Sequence, residues 1–485
     1  MTNLSGANLN DGSAVGPQGE GMDSPSNFPK YPAYKDSGVE WLGTVPEGWK
    51  VSGIKFFADL ITGITPPSDD LDIYAEEGWP WVRPEDLNDS GKPVRASKFL
   101  TDQGWRFCRK VQGGSTLICC IGTIGKLGFV DSDVCTNQQI TAVVSRGNGR
   151  FFFYAMQALK PAFDVGATGN VLRILNSERL GNVTMAVPDH SEAESIARFL
   201  DHETARIDAL IEEQQRLIEL LKEKRQAVIS QAVTKGLDPT VPMKDSGVAW
   251  LGEVPAHWDV IRYKLALRVF QGMAFKSSDY VEYSDVVSLR MGNIKKGGAI
   301  DLDHNLKYLP NNFSSEYDAY ALREGDVVIA MTDMSPSLDF LAVPATIKDS
   351  RKDVSYLLNQ RVGKLIFLPG VEAQFIKYTL LSSQLRGQLK GRGLGTVQAN
   401  MSNDDLYCSF LAMPARKEQI DIVIFLDKAV SEIDEMVGEA LKVNQLLNER
   451  RSALISAAVT GKIDVRGWQP SDSTQVPESA VAEAH

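Results

Sequence analysis

The sequence predicts an α+β molecule made of one unit used twice. Each copy is a mixed α/β domain trailed by a long helix, and the two helices wind into a coiled coil. Three observations carry this prediction. A 17-residue segment returns, a ten-residue helix end returns, and a heptad pattern leads into each of those ends. Lys35–Val51 and Lys244–Val260 agree at 12 of 17 positions, at an offset of 209. Arg225–Thr234 and Arg451–Thr460 agree at 7 of 10, at an offset of 226. Phe199–Asp201 returns as Phe425–Asp427, and Ile207-Asp208 as Ile433-Asp434, at that same 226. The second copy therefore carries 17 extra residues in its middle. The middles have diverged while the ends have not, and the duplication implies a pseudo-twofold relation.

The elements follow in order. Residues 1–34 are rich in Gly, Ser, Asn and Pro with no periodicity, as is the tail at 466–485, and both are expected to be disordered. A Trp/Pro lead-in opens each domain, Trp41 to Trp49 and Trp250 to Trp258. Its Pro and Leu neighbours favour core packing or a partner interface over base stacking. The domains cover 35–190 and 239–416. Short apolar runs such as Thr116–Ile121 and Asp326–Ala330 alternate there with Gly, Pro and Asp turns, as strands do. The helices cover 191–238 and 417–465 and open after Pro188 and Pro414. Ile207, Leu210, Gln214, Leu217, Leu221, Lys224 and Val228 step by three and four, as do Ile433, Met436, Ala440, Val443, Leu447, Arg450 and Leu454. This a/d seam favours a coiled coil over two amphipathic helices on a globular core. Ile211, Ile218, Val437 and Leu446 broaden it, and Glu212, Glu213, Glu219 and Glu223 charge the opposite face. Lys224 and Arg450 interrupt it at equivalent positions, with their stems expected along the seam and their charges in water.

Composition narrows the function. The chain has 485 residues, 43% hydrophobic and 23% charged, ordinary for a soluble globular protein. No apolar run reaches the ~18 residues of a membrane span, and the start lacks the pattern of a secretory signal. Five cysteines without a C-x-x-C read as reduced thiols, so a cytoplasmic location is expected. Five scattered histidines argue against a His-built metal site. The net charge of −11 opposes tight binding to phosphates, but the acid sits in the tails and helices. Residues 50–190 carry net 0 and residues 259–416 net +2.

Motifs for chemistry are missing. Gly125-Lys126 is followed by Leu127 and lacks the first glycine of a phosphate loop. The run Gly391 to Thr396 is not G-x-G-x-x-G, and no H-E-x-x-H occurs. No Asn-Pro-Pro-aromatic or Asp-Pro-Pro-aromatic tetrad of an amino-methyltransferase occurs. Pro188-Asp189 is not followed by the Glu-x-Lys of a Mg²⁺-nuclease. A chain this long without an active-site constellation points toward recognition or scaffolding.

The arrangement resembles the specificity (S) subunit of type I restriction-modification enzymes over roughly residues 35–465. The doubled W-L-G-x-V-P-x-x-W lead-in, the Phe-Leu-Asp and Ile-Asp helix opening and the doubled Ile-Ser-x-Ala-Val-Thr helix end carry the resemblance. Gly122–Lys126 and the pairs Asn137-Gln138 and Asn359-Gln360 add to it. The resemblance implies two target-recognition domains, each reading half of a bipartite, asymmetric site in double-stranded DNA. It implies an antiparallel coil that fixes their separation. It also implies two methyltransferase (M) subunits and motor-nuclease (R) subunits as partners, and no membrane partner. Those subunits would use S-adenosylmethionine, ATP and Mg²⁺, while this chain would be non-catalytic and bind no cofactor of its own. The alternative is a coiled-coil scaffold that holds other proteins without reading DNA. Helix length suits the first reading: Glu203–Ser230 spans ~40 Å, close to the ~34–36 Å of one DNA turn. Domains of such low net charge should grip DNA weakly without their partner subunits.

Residues that differ between the copies and lie in polar loops are the candidate DNA contacts. In the first domain these are Thr123, Lys126, Gln139, Thr168, Asn170 and Arg173. In the second they are Lys295, Lys296, Thr332, Ser335, Arg361, Arg392, Thr396 and Gln398. Any single one of them reads more readily as a solvated loop residue than as a base contact. Gln139 against Arg361 is the sharpest contrast. Asn137 and Asn359 recur, which favours a buried structural amide over an adenine contact. Arg83 and Arg290 are equivalent and read either as phosphate contacts or as structural ion pairs.

Overall fold

The computed structural model describes residues 28–67, 72–169, 173–333, 340–348, 353–390 and 399–470. Contacts divide the chain into two units, residues 1–213 with 443–485, and residues 214–442.

The first unit opens with a hairpin of Tyr34–Asp36 against Thr44–Pro46, and Trp49 follows it into the core at 1% exposure. The central strands of the domain are β1 (Ala58–Thr62), β2 (Trp79–Val82), β3 (Ser115–Cys119), β4 (Leu127–Val130), β5 (Val134–Thr136) and β6 (Ile140–Ser145). One sheet runs β4-β3-β6-β1 and is antiparallel throughout. In the second sheet β2 and β5 lie parallel. β3 and β4 are buried along their whole length, which explains their continuous apolar runs where a half-buried strand would alternate. Helix α1 (Gly149–Ala158) starts where the Asn148 side chain accepts the Phe151 N–H at 3.0 Å. Its run Phe151 to Tyr154 is wholly buried. Helix α2 (His190–Lys235) starts where Asp189 accepts the Glu192 N–H at 2.9 Å.

The second unit repeats these parts. Met243–Asp245 pairs with Glu253–Pro255, and Trp258 is fully buried behind that hairpin. Its central strands are β7 (Leu267–Gln271), β8 (Val286–Leu289), β9 (Val327–Ala330), β10 (Pro344–Thr346), β11 (Ser355–Leu358) and β12 (Val362–Phe367). The order β10-β9-β12-β7 matches the first sheet strand for strand, and β8 and β11 form the equivalent parallel pair. Helix α3 (Ala373–Leu381) occupies the place of α1, and α4 (Arg416–Val459) that of α2. The expected mixed α+β architecture with two long helices is what the chain adopts.

Two expectations change. The seam runs in the other phase at alternate steps. Its positions on α2 are Thr204, Ile207, Ile211, Gln214, Ile218, Leu221 and Arg225, with Ile218 and Leu221 at 5% and 7% exposure, while Leu217 is 43% exposed. On α4 the equivalents are Val430, Ile433, Val437, Ala440, Asn444, Leu447 and Arg451, while Met436, Val443 and Leu446 are exposed. With apolar residues at both 210 and 211, and again at 217 and 218, spacing alone cannot choose the phase. Lys224 is exposed, and the arginine on the seam is its neighbour Arg225. The second change is at the ends. Phe28 and Trp468 each pack edge-on against Phe199 at 5.2 Å, Tyr31 is buried, and Asp464 N–H donates to Pro29 O at 2.7 Å. Tyr31 therefore belongs to the core of the first unit, and Phe28, Tyr34 and Trp468 pack against it. The arms 1–27 and 471–485 lie outside the described residues.

Candidate nucleic-acid interface

In the first unit four candidates gather at the end of β3. Gly122 and Gly125 hold left-handed backbone at φ 82° and 78°, which turns the chain sharply between β3 and β4 and leaves Thr123 exposed at the tip. The segment around Thr168 and Ile174 closes on itself through two backbone hydrogen bonds of 3.0 and 2.8 Å. It packs beside the turn, because Gly122 N–H reaches Arg173 O at 3.3 Å and Leu175 N–H reaches Cys120 O at 2.9 Å. Gln139 comes to the same place, its carbonyl accepting Cys120 N–H at 2.7 Å. Burial of the neighbouring Cys120 pushes its thiol up to about 11, so it stays protonated beside the loop.

The second unit builds the equivalent end of β9. Arg361 O accepts Met331 N–H at 3.0 Å, as Gln139 does for Cys120. Met401 N–H reaches Met331 O at 2.8 Å, as Leu175 does for Cys120. Thr332–Asp333 pairs with Ala399–Asn400. The Asp333 carboxylate, 1% exposed, accepts the N–H groups of Phe340 and Leu341 at 2.7 and 3.1 Å and ties down the base of this loop. Lys296 Nζ lies 5.7 Å from the Phe340 ring, so it joins the same cluster. An amide in one unit and a guanidinium in the other thus stand at one backbone position. The Gln139 amide oxygen accepts from Asn137 Nδ2 at 3.0 Å.

Several candidates have other work. Lys126 Nζ donates to Pro84 O at 2.8 Å and supports the turn Pro84–Asp86. Arg83 pairs with Glu85 at 2.7 Å, and Arg290 donates to Asn305 O at 3.3 Å. Both therefore fit a structural role better than phosphate contact. Arg173 pairs with Asp164 at 3.1 Å, and Lys295 with Asp301 at 3.0 Å, holding the Asp301 carboxyl well below the usual carboxylate range. Thr168 Oγ1 accepts from Arg179 at 2.6 Å. Thr332 is 4% exposed and donates to Asn400 at 2.9 Å, so it supports the loop and offers no free face. Asn137 and Asn359 are 8% and 7% exposed and bonded within their units, in keeping with structural amides. Asn170, Ser335, Arg392, Thr396 and Gln398 lie outside the described residues.

Sequence reasoning overlooked Asn400 and Arg179. Asn400 was findable, since Met401 is the 226-offset counterpart of Leu175. Arg179 carries no sequence signal, because it is one cation on a short helix. Trp79, 40% exposed and stacked on Trp105 at 4.4 Å, was also missed, because strand alternation places Trp79 and Trp81 on one face and nothing in the sequence marks Trp79 as the exposed ring.

No group of three or more His, Cys, Asp or Glu placed to hold a metal occurs among the described residues. No helix among them is long and apolar enough to cross a membrane.

Comparison with known proteins agrees with this geometry. The family described as type I restriction modification DNA specificity domain matches residues 46–221. The type I restriction enzyme MjaVIII specificity subunit of Methanocaldococcus jannaschii is 25% identical over 434 residues, 87% of this chain and 94% of that one. The EcoBI specificity subunit of Escherichia coli is 17% identical over 449 residues, 90% of each chain. A solved chain from a type I R-M system, described for its complex assembly and conformational transition, superposes with a TM-score of 0.64 at 13% identity. That likeness covers 86% of this chain and 98% of the other, and it concerns the fold.

Proposed function

We propose, from the similarity of this chain to type I restriction enzyme specificity subunits along most of its length, that it is the DNA-recognition subunit of such a complex. Each domain reads one half of a bipartite, asymmetric site in double-stranded DNA. The single observation that carries this reading is the pair of equivalent loop clusters, with Gln139 in one and Arg361 in the other. A duplicated scaffold with unlike side chains at matching positions suits a target whose halves differ. A scaffold for proteins alone gives no reason for that contrast.

The chain is non-catalytic in this reading and binds no cofactor. Two methyltransferase subunits dock on it and bring S-adenosylmethionine, and motor-nuclease subunits bring ATP and Mg²⁺ chemistry, all in the cytoplasm. The long helices set the separation of the half-sites. Arg83, Arg173 and Lys295 are engaged by carboxylates and residues 50–190 and 259–416 carry net charges of only 0 and +2, so the methyltransferases supply much of the grip.

The test is methylome sequencing of cells with and without this protein, its methyltransferase present in both. A bipartite N6-methyladenine motif that disappears with the protein supports the reading. An unchanged methylome overturns it and favours the scaffold.

A further inference from the structure

Both units fasten their domain to a long helix in the same way. In the first, the Tyr154 hydroxyl on α1 donates to Asp201 Oδ1 on α2 at 2.7 Å. In the second, the Tyr378 hydroxyl on α3 donates to Asp427 Oδ1 on α4 at 2.6 Å. Burial pushes both hydroxyls well above the ordinary tyrosine value, so they remain neutral donors. Seven residues further along each helix, on the same face, a second aspartate meets an arginine from the other long helix. Asp208 accepts from Arg451 Nε at 2.9 Å, and Asp434 from Arg225 Nε at 2.9 Å. The arginine-bearing helices also reach the domains. Arg451 donates to Ser90 O at 3.3 Å, while Gln226 beside Arg225 donates to Leu381 O at 2.9 Å.

The surroundings of these two latches differ. In the first unit Arg150 forks onto Asp201 and also donates to Tyr154. Its counterpart in the second unit is Gln374, which donates to Thr346 Oγ1 at 3.3 Å. The tyrosine–aspartate bond persists through that divergence, so the feature common to both units is the contact itself.

A hydrogen bond between two fixed atoms has one favourable geometry, whereas the apolar packing around it tolerates small rotations. A bond at the domain–helix seam therefore selects one orientation from many that packing would allow. Reading a base edge demands placement to about half an ångström. A small rotation at the seam is magnified at the loop cluster at the end of β3 or β9.

We propose that Tyr154 with Asp201, and Tyr378 with Asp427, are positioning residues that set the orientation of each reading domain on its helix. Each pair thereby governs fidelity at its own half-site. The inference rests on the DNA-reading function proposed above.

The test uses the full chain assembled with its methyltransferase subunits, carrying Tyr154→Phe or Tyr378→Phe, with methylome sequencing as readout. Phenylalanine keeps the ring and removes only the donor. Tyr154→Phe is expected to raise methylation at sites mismatched in one half at least tenfold while leaving the other half strict. Tyr378→Phe is expected to do the reverse. Asp201→Asn, whose amide oxygen still accepts from Tyr154, should keep most of the discrimination and serves also if the tyrosine variant folds poorly. Equal relaxation of both halves would overturn the proposal, as would a lowered Tm with an unchanged motif. Absence of any bipartite motif for the parent complex would instead refute the DNA-reading function on which the proposal stands.

Discussion

Gly63 and Gly272 occupy equivalent places where a strand end passes directly over the asparagine turn. A Cβ on Gly63 would stand 2.2 Å from Thr136 O, and one on Gly272 would stand 2.2 Å from Asn359 O. Their N–H groups close onto Ile140 O and Val362 O at 3.0 and 3.2 Å, so neither backbone can retreat. Gly63→Ala and Gly272→Ala should each cost about 1–3 kcal/mol, read as a drop in the thermal or urea midpoint. A neutral effect at both would show that the strand can shift. Cysteine burial gives a second prediction. Cys108, Cys119, Cys120 and Cys135 are buried and Cys408 is exposed. A thiol reagent should therefore modify one cysteine per folded chain, and all five after unfolding. Rapid labelling of Cys120, whose thiol is pushed up to about 11, would contradict the packing around it. At this scale the sequence was readable where a residue recurs. Asn137 and Asn359 announced themselves as structural by returning. Thr332 did not, because a threonine between an apolar run and a polar loop can be the last core residue or the first loop residue, and only packing decides.

The long helices show what periodicity can and cannot specify. Their existence, their openings after Pro188 and Pro414 and their equivalence were all legible in the heptads. Their buried stripe was legible only at every second step. Adjacent apolar residues at 210 and 211, and at 217 and 218, satisfy three-and-four spacing in either phase, and the partner surface makes the choice. The consequence is measurable at the charged step. Lys224 is exposed, so Lys224→Ala should change stability by less than ~0.5 kcal/mol. Arg225 and Arg451 have side chains 20% and 13% exposed and hold Asp434 and Asp208. Arg225→Ala and Arg451→Ala should each cost roughly 1–2 kcal/mol, reduced from a fully buried pair because their aspartates remain partly in water. The larger loss belongs to Arg451, which also donates to Ser90 O and Gln157 Oε1. If Lys224→Ala proved the more damaging change in urea titrations, the seam would have to be redrawn in the phase that spacing first suggested.

For the whole molecule, the duplication made most of the architecture readable, since the antiparallel four-stranded sheet, the parallel strand pair and the long helix of one unit each have a counterpart in the other. The chain ends were misjudged because low complexity dominates their composition, yet Phe28 and Trp468 dock against Phe199 and Tyr31 against Trp49. What the molecule does with its length is open to direct measurement. α2 has 46 residues and α4 has 44, so each is ~65–70 Å long at ~1.5 Å per residue. Seven residues added to both helices, after Glu213 and after Lys442 where the two units divide, would lengthen each by ~10 Å. A heptad turns the helix by nearly two whole turns, leaving only ~20° of drift, so the buried stripe stays in phase. At ~3.4 Å per base pair, the expected outcome is a methylated motif with both half-sites unchanged and about three more base pairs between them. A five-residue insertion should abolish methylation instead, because its ~500° of turn leaves the following stripe ~140° away from its partner. An unaltered spacer in the heptad variant would mean that the helices do not measure the distance, and the separation of half-sites would have to be assigned to the methyltransferases.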